Sequence, residues 1–274
     1  MQRFNYHTHT RYGDGKNTVA EMIDSAIRCG FTALGFSEHA TMEYTDPPAG
    51  RWWMETLEAE RYFAEVAAAK EQYADRITIH CGLEMDALCP CNKDGLDYCI
   101  GSVHVLATDA GHFNVDHSPA ERDLCIERAF AGDRMAFAKR YYDDVVKMAK
   151  TLRPDIIGHF DLITKFSEDG VFFAEDHAAY RKLALDALDA VLATGAIIEV
   201  NTGAISRGYR KTPYPRPFLL EHILEKRGNI VLSSDTHAVA TINFGFDESE
   251  AMLREIGFAE TMMLTDAGFV PIPL

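Results

Sequence analysis

The sequence predicts an α/β fold, a parallel sheet curled into a barrel with helices packed outside it. Short apolar runs alternate with longer stretches at helical spacing, as expected of βα units. That alternation persists to the C-terminus, and 274 residues suit an α/β barrel built around one core. One domain spanning 1–274 is therefore expected.

Taken in order, strands are predicted at Phe4–His7, Ala33–Ser37, Ile77–Glu84, Tyr98–Val103, Ile156–His159, Ile197–Asn201 and Ile230–Ser233. After the first, Val19, Met22, Ile23, Ala26 and Ile27 form the stripe of a helix, and Cys29-Gly30 supplies its stop. Tyr180, Leu183, Ala184, Ala187, Leu188, Val191 and Leu192 form a second stripe ending at Gly195, which reads as core packing. The segment from Gly82 to Asp133 breaks the rhythm. Its Cys-Pro-Cys, Asp-Ala-Gly-His and Asp-His-Ser-Pro stretches are loop signals, so a long functional loop is expected there.

Hydrophobic residues make up 47% of the chain and charged residues 25%, the balance of a soluble globular protein with a sizeable interior. The start, MQRFNYHTHT, shows no basic-then-apolar leader, and no apolar run reaches the ~18 residues of a membrane span, so a cytoplasmic location is expected. Six scattered cysteines read as reduced thiols. Cys89-Pro90-Cys91 is spaced too closely for a zinc knuckle and reads as a loop with two free thiols. A formal net charge of −15 argues against nucleic acid or an anionic membrane as the main partner. An anionic substrate would need a locally positive site.

The positions of the histidines are more specific. His7 and His9 end the first strand, where side chains two apart project from one face and can grip one cation. His39, Glu84, His104, His159, Asp235 and His237 each fall at the C-terminal end of a predicted strand, the rim where catalytic residues of parallel α/β barrels converge. Any one alone reads as a buried or surface residue; together they point to a metal cluster. His80, His112, His117, His177 and His222 fall inside a strand, in the long loop or in helical stretches, and are not assigned to metals.

Four motifs, His7-Thr8-His9, Glu38-His39, Gly101-Ser102-Val103-His104 and Ser234-Asp235-Thr236-His237, resemble those of the polymerase and histidinol phosphatase (PHP) family, across nearly the whole chain. The resemblance implies a distorted seven-stranded (β/α)7 barrel with two or three divalent ions. By position, His7, His9, Glu84 and Asp235 would hold the first, and Glu84 would bridge to a second held by His104 and His159. Asp14, His39 and His237 would hold the third. The stretch Asn201-Thr202-Gly203-Ala204-Ile205-Ser206-Arg207, followed by Thr212-Pro213-Tyr214-Pro215, looks like the histidinol-phosphatase branch, in which the arginine meets the phosphate. The loop after His104, with Phe113 and Asp116, looks like that branch's substrate lid.

The activity so implied is hydrolysis of a small phosphomonoester, L-histidinol phosphate, in histidine biosynthesis. Three divalent ions bring about +6 against about −3 from Asp14, Glu84 and Asp235, which makes the site positive. Mixed imidazole and carboxylate ligands suit zinc, manganese or iron. Glu84 and Asp235 frame the expected catalytic centre, with a hydroxide bridging two ions as nucleophile. Arg207 would add a planar fork of donors to the phosphate, and Lys16 is a second candidate contact. Asp161 and Asp116 are candidates for the ammonium and imidazole of the substrate, and Asp235 or a metal-bound water for protonating the leaving alkoxide. Competing readings are a relative that hydrolyses nucleotide or sugar phosphates, a non-catalytic metal-binding module, and an amidohydrolase. The last also opens with His-x-His but usually adds a carboxylated lysine at a middle strand, where Glu84 stands here.

Overall fold

The computed structural model describes residues 2–44, 47–48, 50–90, 92–167 and 177–274, so Cys91 lies outside the described residues. In chain order these build β1 (Phe4–Asn5), α1 (Val19–Arg28), β2 (Ala33–His39), α2 (Thr56–Gln72), β3 (Thr78–Asp86), β4 (Tyr98–Ser102), β5 (Val105–Thr108), β6 (Gly111–Asn114), α3 (Pro119–Phe130) and α4 (Arg134–Thr151). There follow β7 (Ile156–Ile157), α5 (Ala178–Leu192), β8 (Ile197–Asn201), α6 (Gly203–Ser206), α7 (Pro217–Glu225), β9 (Ile230–Ser233), α8 (Phe246–Ile256), β10 (Glu260–Thr265) and β11 (Gly268–Pro273).

Seven strands, in the order β1-β2-β3-β4-β7-β8-β9, pair in parallel as one sheet. The sheet nearly closes into a barrel, because Thr8, just past β1, bridges to Thr236, just past β9. There the His9 N–H donates to the Thr236 carbonyl (2.9 Å) and the Thr236 N–H to the His7 carbonyl (3.2 Å). Two of the histidine motifs therefore make the closure themselves. No described helix is long and apolar enough to cross a membrane.

Alternation along the strands sorts side chains between two cores. Phe4, Tyr6, Ala33, Tyr98, Ile100, Ile156, Ile197 and Val231 fill the barrel together with Met262 and Leu264 of β10. Leu34, Phe36, Cys99, Ile157, Ile198, Val200 and Leu232 pack instead with the helices. Tyr98 lies across the interior, its hydroxyl donating to the Tyr6 carbonyl (2.6 Å). Gly35 and Gly82 make room for it, since a Cβ at either would run into Tyr98.

Helix α1 opens with a capping box worth about 1 kcal/mol. The Thr18 hydroxyl accepts from the Glu21 N–H (3.1 Å), and the Glu21 carboxylate accepts from the Thr18 N–H (2.8 Å). Val19, Met22, Ile23 and Ala26 are buried as their spacing predicts, and left-handed Gly30 (φ 77°) follows the stop. Helix α5 likewise buries Tyr180, Ala184, Ala187, Leu188 and Val191.

The stretch from Gly82 to Asp133 is not one long loop. It holds the end of β3, β4, the β5–β6 hairpin and α3. Its loop signals are the boundaries of short elements: Asp109-Ala110-Gly111 turns the hairpin, with Gly111 at φ 119°, and Ser118-Pro119 starts α3. Phe113 is buried in the core and does not stand free as a lid.

Candidate metal centre

The C-terminal ends of the strands and the loops after them surround a cavity of about 700 Å3. Glu84, near the end of β3 and almost fully buried, sits there among five imidazoles. Its Oε2 lies 3.1 Å from His7 Nε2, 3.0 Å from His39 Nδ1 and 3.5 Å from His9 Nε2. Its Oε1 lies 2.9 Å from His159 Nε2 and 3.4 Å from His104 Nε2. Asp235 Oδ1 stands 3.7 Å from His7 Nε2 and 3.5 Å from His9 Nε2. Its backbone is left-handed (φ 48°), a conformation that aspartate tolerates better than most residues and that clusters at functional sites. Asp14 Oδ1 completes the set, 3.2 Å from His237 Nε2 and 3.7 Å from His39 Nε2.

All nine residues nominated from the sequence thus come together. Their ligand atoms form four overlapping groups, each within 4.8 Å: His9, Asp14, His39 and His237; His7, Glu84 and His159; His7, His9 and Asp235; His39, Glu84 and His104. The overlap differs from the expected division in three places. His9 also belongs with Asp14, His39 also belongs with Glu84 and His104, and His7 also belongs with His159, so the three groups are continuous with one another.

His7 Nε2, His9 Nε2, His39 Nδ1 and Glu84 Oε2, the atoms that face one another here, are buried without a hydrogen-bond partner among the described residues. So many unsatisfied buried polar atoms are costly unless cations engage them. The donor set fits divalent ions that accept both nitrogen and carboxylate oxygen.

The electrostatics agree. Burial disfavours charge on His7, but Glu199, Glu84 and Asp235 hold its pKa well above the ordinary value. Against the same burial, Asp235, Glu38 and Asp14 raise His9 to about 10, and Glu84 and Asp86 raise His104 to about 9. The carboxyl groups of Glu84, Asp14 and Asp235 are lowered despite burial, the first two by imidazoles and Asp235 by Arg207 and then His7. At His39 burial wins, and its pKa falls.

Three carboxylates to which the sequence reading gave no role brace the imidazoles from behind. Glu199 Oε1 is 2.5 Å from His7 Nδ1, Glu38 Oε2 is 3.7 Å from His9 Nδ1, and Asp86 Oδ2 is 3.6 Å from His104 Nδ1. The Ser102 hydroxyl donates to Glu84 Oε1 (2.6 Å). All three left a trace in the sequence. Glu38 belongs to the Glu38-His39 motif, Glu199 interrupts the apolar run Ile197-Ile198-Glu199-Val200, where a buried carboxylate needs a partner, and Asp86 shares a strand face with Glu84. Trp52, whose ring is edge-on to His39 (4.6 Å between centroids), left no trace of that kind.

Of the expected substrate contacts, Arg207 lines the cavity just after α6. Its Nη2 lies 2.9 Å from Asp235 Oδ2, and its Nη1 donates to the Asp235 carbonyl (3.0 Å). Exposed Lys16 also lines the cavity. Asp116 lines it too, but is paired with Lys165 (2.9 Å), a cavity cation that the sequence reading passed over. Asp161 requires a correction. It is fully buried and absent from the cavity lining, with its Oδ2 near the Thr164 hydroxyl and the Arg216 N–H (both 3.3 Å). Strand β7 ends at Ile157, so the alternation that would align Asp161 with His159 is lost, and the chain turns inward instead. Of the histidines not assigned to metals, His117 lines the cavity without joining a ligand group, and the other four do not line it.

The sequence matches the PHP domain family over residues 5–203. It is 31% identical over 264 residues to a Deinococcus radiodurans protein named "Probable histidinol-phosphatase", covering 92% of each chain. It is 26% identical over 266 residues to the histidinol-phosphatase of Bacillus subtilis, covering 90% of this chain and 98% of the other. Its fold is similar to that of the histidinol phosphate phosphatase of Lactococcus lactis, solved with zinc, L-histidinol and phosphate, with a TM-score of 0.69 at 20% identity over 97% of this chain and 98% of that one. Likeness of this extent, on a nearly closed barrel of seven parallel strands, makes the chain a member of the PHP domain family.

Proposed function

We propose that the chain, as one barrel domain over 1–274, uses two or three divalent ions to hydrolyse L-histidinol phosphate to L-histidinol and phosphate. The observation that carries this reading is Glu84, a buried carboxylate whose two oxygens face different imidazoles in a cavity also lined by Arg207, Lys165 and Lys16. A carboxylate shared between cations, with cationic side chains nearby, suits a phosphate dianion. Two relatives named for histidinol phosphatase activity match nine-tenths of the chain, and a protein of similar fold was solved with histidinol and phosphate, which supports the substrate.

In this reading His7, His9, Glu84 and Asp235 hold one ion, Glu84, His104 and His159 a second, and Asp14, His39 and His237 a third. Zinc, manganese and iron suit these ligands. Bound there, the ions supply Lewis-acid charge that lowers the pKa of water and offsets the charge on the phosphoryl oxygens. Arg207 is held by Asp235, so the phosphate meets a guanidinium already oriented. Exposed Lys16 adds positive charge at the cavity, whereas Lys165 is offset by Asp116, so Lys16 together with the ions would let a chain of net charge −15 admit an anion. Arg207 and His7 keep Asp235 ionised against the pull of burial, which favours solvent in the cavity over Asp235 as the proton source for the leaving alkoxide. Asp116 is the cavity carboxylate outside the ligand groups and the candidate for the substrate ammonium, which would share it with Lys165, and Trp52 and Tyr209 also line the cavity. We place the protein in the cytoplasm because Cys29, Cys81, Cys99 and Cys125 are free thiols.

Phosphate release from L-histidinol phosphate tests the reading. Chelator is expected to abolish it and added Zn2+ or Mn2+ to restore it. Glu84→Ala is expected to lower it by more than the roughly 100-fold that loss of an outer-sphere partner costs. Chelator-insensitive release, or faster turnover of nucleoside monophosphates than of histidinol phosphate, would overturn it.

A further inference from the structure

We infer that Glu199 is a positioning residue that sets the tautomer and aim of His7 and ties it to the backbone of His159. The inference rests on the metal site proposed above. Glu199 is fully buried on β8, in a strand whose apolar neighbours Ile197, Ile198 and Val200 all pack as core. A carboxylate in such a place is costly unless donors meet both oxygens. Both are met. Oε1 lies 2.5 Å from His7 Nδ1, while Oε2 accepts from the His159 backbone N–H (2.8 Å) and from Asn201 Nδ2 (2.9 Å).

With a carboxylate acceptor at that distance, the proton of a neutral His7 sits on Nδ1, and Nε2 keeps its lone pair. Nε2 is the nitrogen that lies 3.1 Å from Glu84 Oε2 and 3.7 Å from Asp235 Oδ1, with no hydrogen-bond partner among the described residues. Through its other oxygen the same carboxylate anchors His159, whose Nε2 lies 2.9 Å from Glu84 Oε1. Glu199 therefore braces one candidate ligand on each side of Glu84. Rotating it would break three contacts at once.

Metal binding to the purified full chain, read without substrate, tests this. Wild type and Glu199→Gln are stripped with chelator and titrated with Zn2+ against a chromophoric competitor, and visible spectra of the Co2+-loaded forms are recorded. Glutamine keeps the shape but turns one acceptor into a donor, so it cannot serve His7, His159 and Asn201 together. The expected result is 10–100-fold weaker binding of the ion held by His7, an altered Co2+ spectrum, and unchanged affinity at the group formed by Asp14, His39 and His237. If Glu199→Gln does not fold, Glu199→Asp carries the same measurement with a smaller expected loss. Unchanged affinity and spectrum in a folded variant, or equal weakening of every equivalent, would overturn the inference. Wild type that binds metal but leaves histidinol phosphate intact would sink the proposed function alone.

Discussion

Glu84 and the imidazoles around it form a set in which protons and cations compete for the same lone pairs. His9, raised to about 10, and His104, raised to about 9, retain protons at neutral pH in the absence of cations. Cation binding must displace those protons, so affinity is expected to rise with pH up to that range. Zn2+ titrated into chelator-treated protein at pH 7 should release at least about one proton per chain, read as calorimetric heats that depend on the ionisation enthalpy of the buffer. Buffer-independent heats would contradict this. The sign for stability follows from the same shifts. Folded-state values above the ordinary 6.5 stabilise the metal-free protein fully below that pH, and the contribution fades as pH rises through about 9 to 10.

At the scale of elements, the turn from β8 into α6 shows how little space the site leaves. A Cβ on Gly203 would lie 2.8 Å from both Arg207 Nη2 and Asp235 Oδ2, and 3.0 Å from Asn201 Oδ1. Gly203→Ala is therefore expected to push the guanidinium off the carboxylate and lower turnover roughly 100-fold, the scale of a 1 Å misplacement. Its urea midpoint should still indicate a change of only about 1 kcal/mol or less, because the core of β8 is untouched. Wild-type turnover would show that the Arg207–Asp235 pairing is not needed. Periodicity found all seven barrel strands because each is buried and carries apolar residues next to turn signals. It did not give β5 and β6, four residues each, because such short strands spend much of their length on turn residues, and it read the stretch that holds the 12-residue α3 as loop because Asp-His-Ser-Pro, the start of that helix, is also a turn signal.

Across the whole molecule, the two ends of the barrel do different work. The candidate metal site lies at the C-terminal ends of the strands, whereas the β10–β11 hairpin packs Met262 and Leu264 against the interior side chains near the opposite end. The Leu264 N–H donates to the Tyr6 hydroxyl there (2.9 Å). Leu264→Ala is expected to cost about 2–5 kcal/mol in urea unfolding while leaving metal stoichiometry unchanged, since Leu264 packs in the barrel core and belongs to none of the ligand groups. A loss of bound metal with no loss of stability would reverse that assignment.

The sequence by itself determined the barrel class, the strand ends that carry histidines, and eight of the nine candidate ligands, the ninth, Asp14, being implied by the resemblance to the PHP family. Strand periodicity and residue chemistry are local properties and can be read in one dimension. Only the tertiary structure decided which ligand atoms share a group, that Glu199, Glu38 and Asp86 stand behind the imidazoles, that Lys165 neutralises Asp116, and that Asp161 turns away from the cavity. Each of these is a contact between segments distant in the chain. Their distances follow from how the strands curl and close, as at Thr8 and Thr236, and no spacing along the chain encodes them.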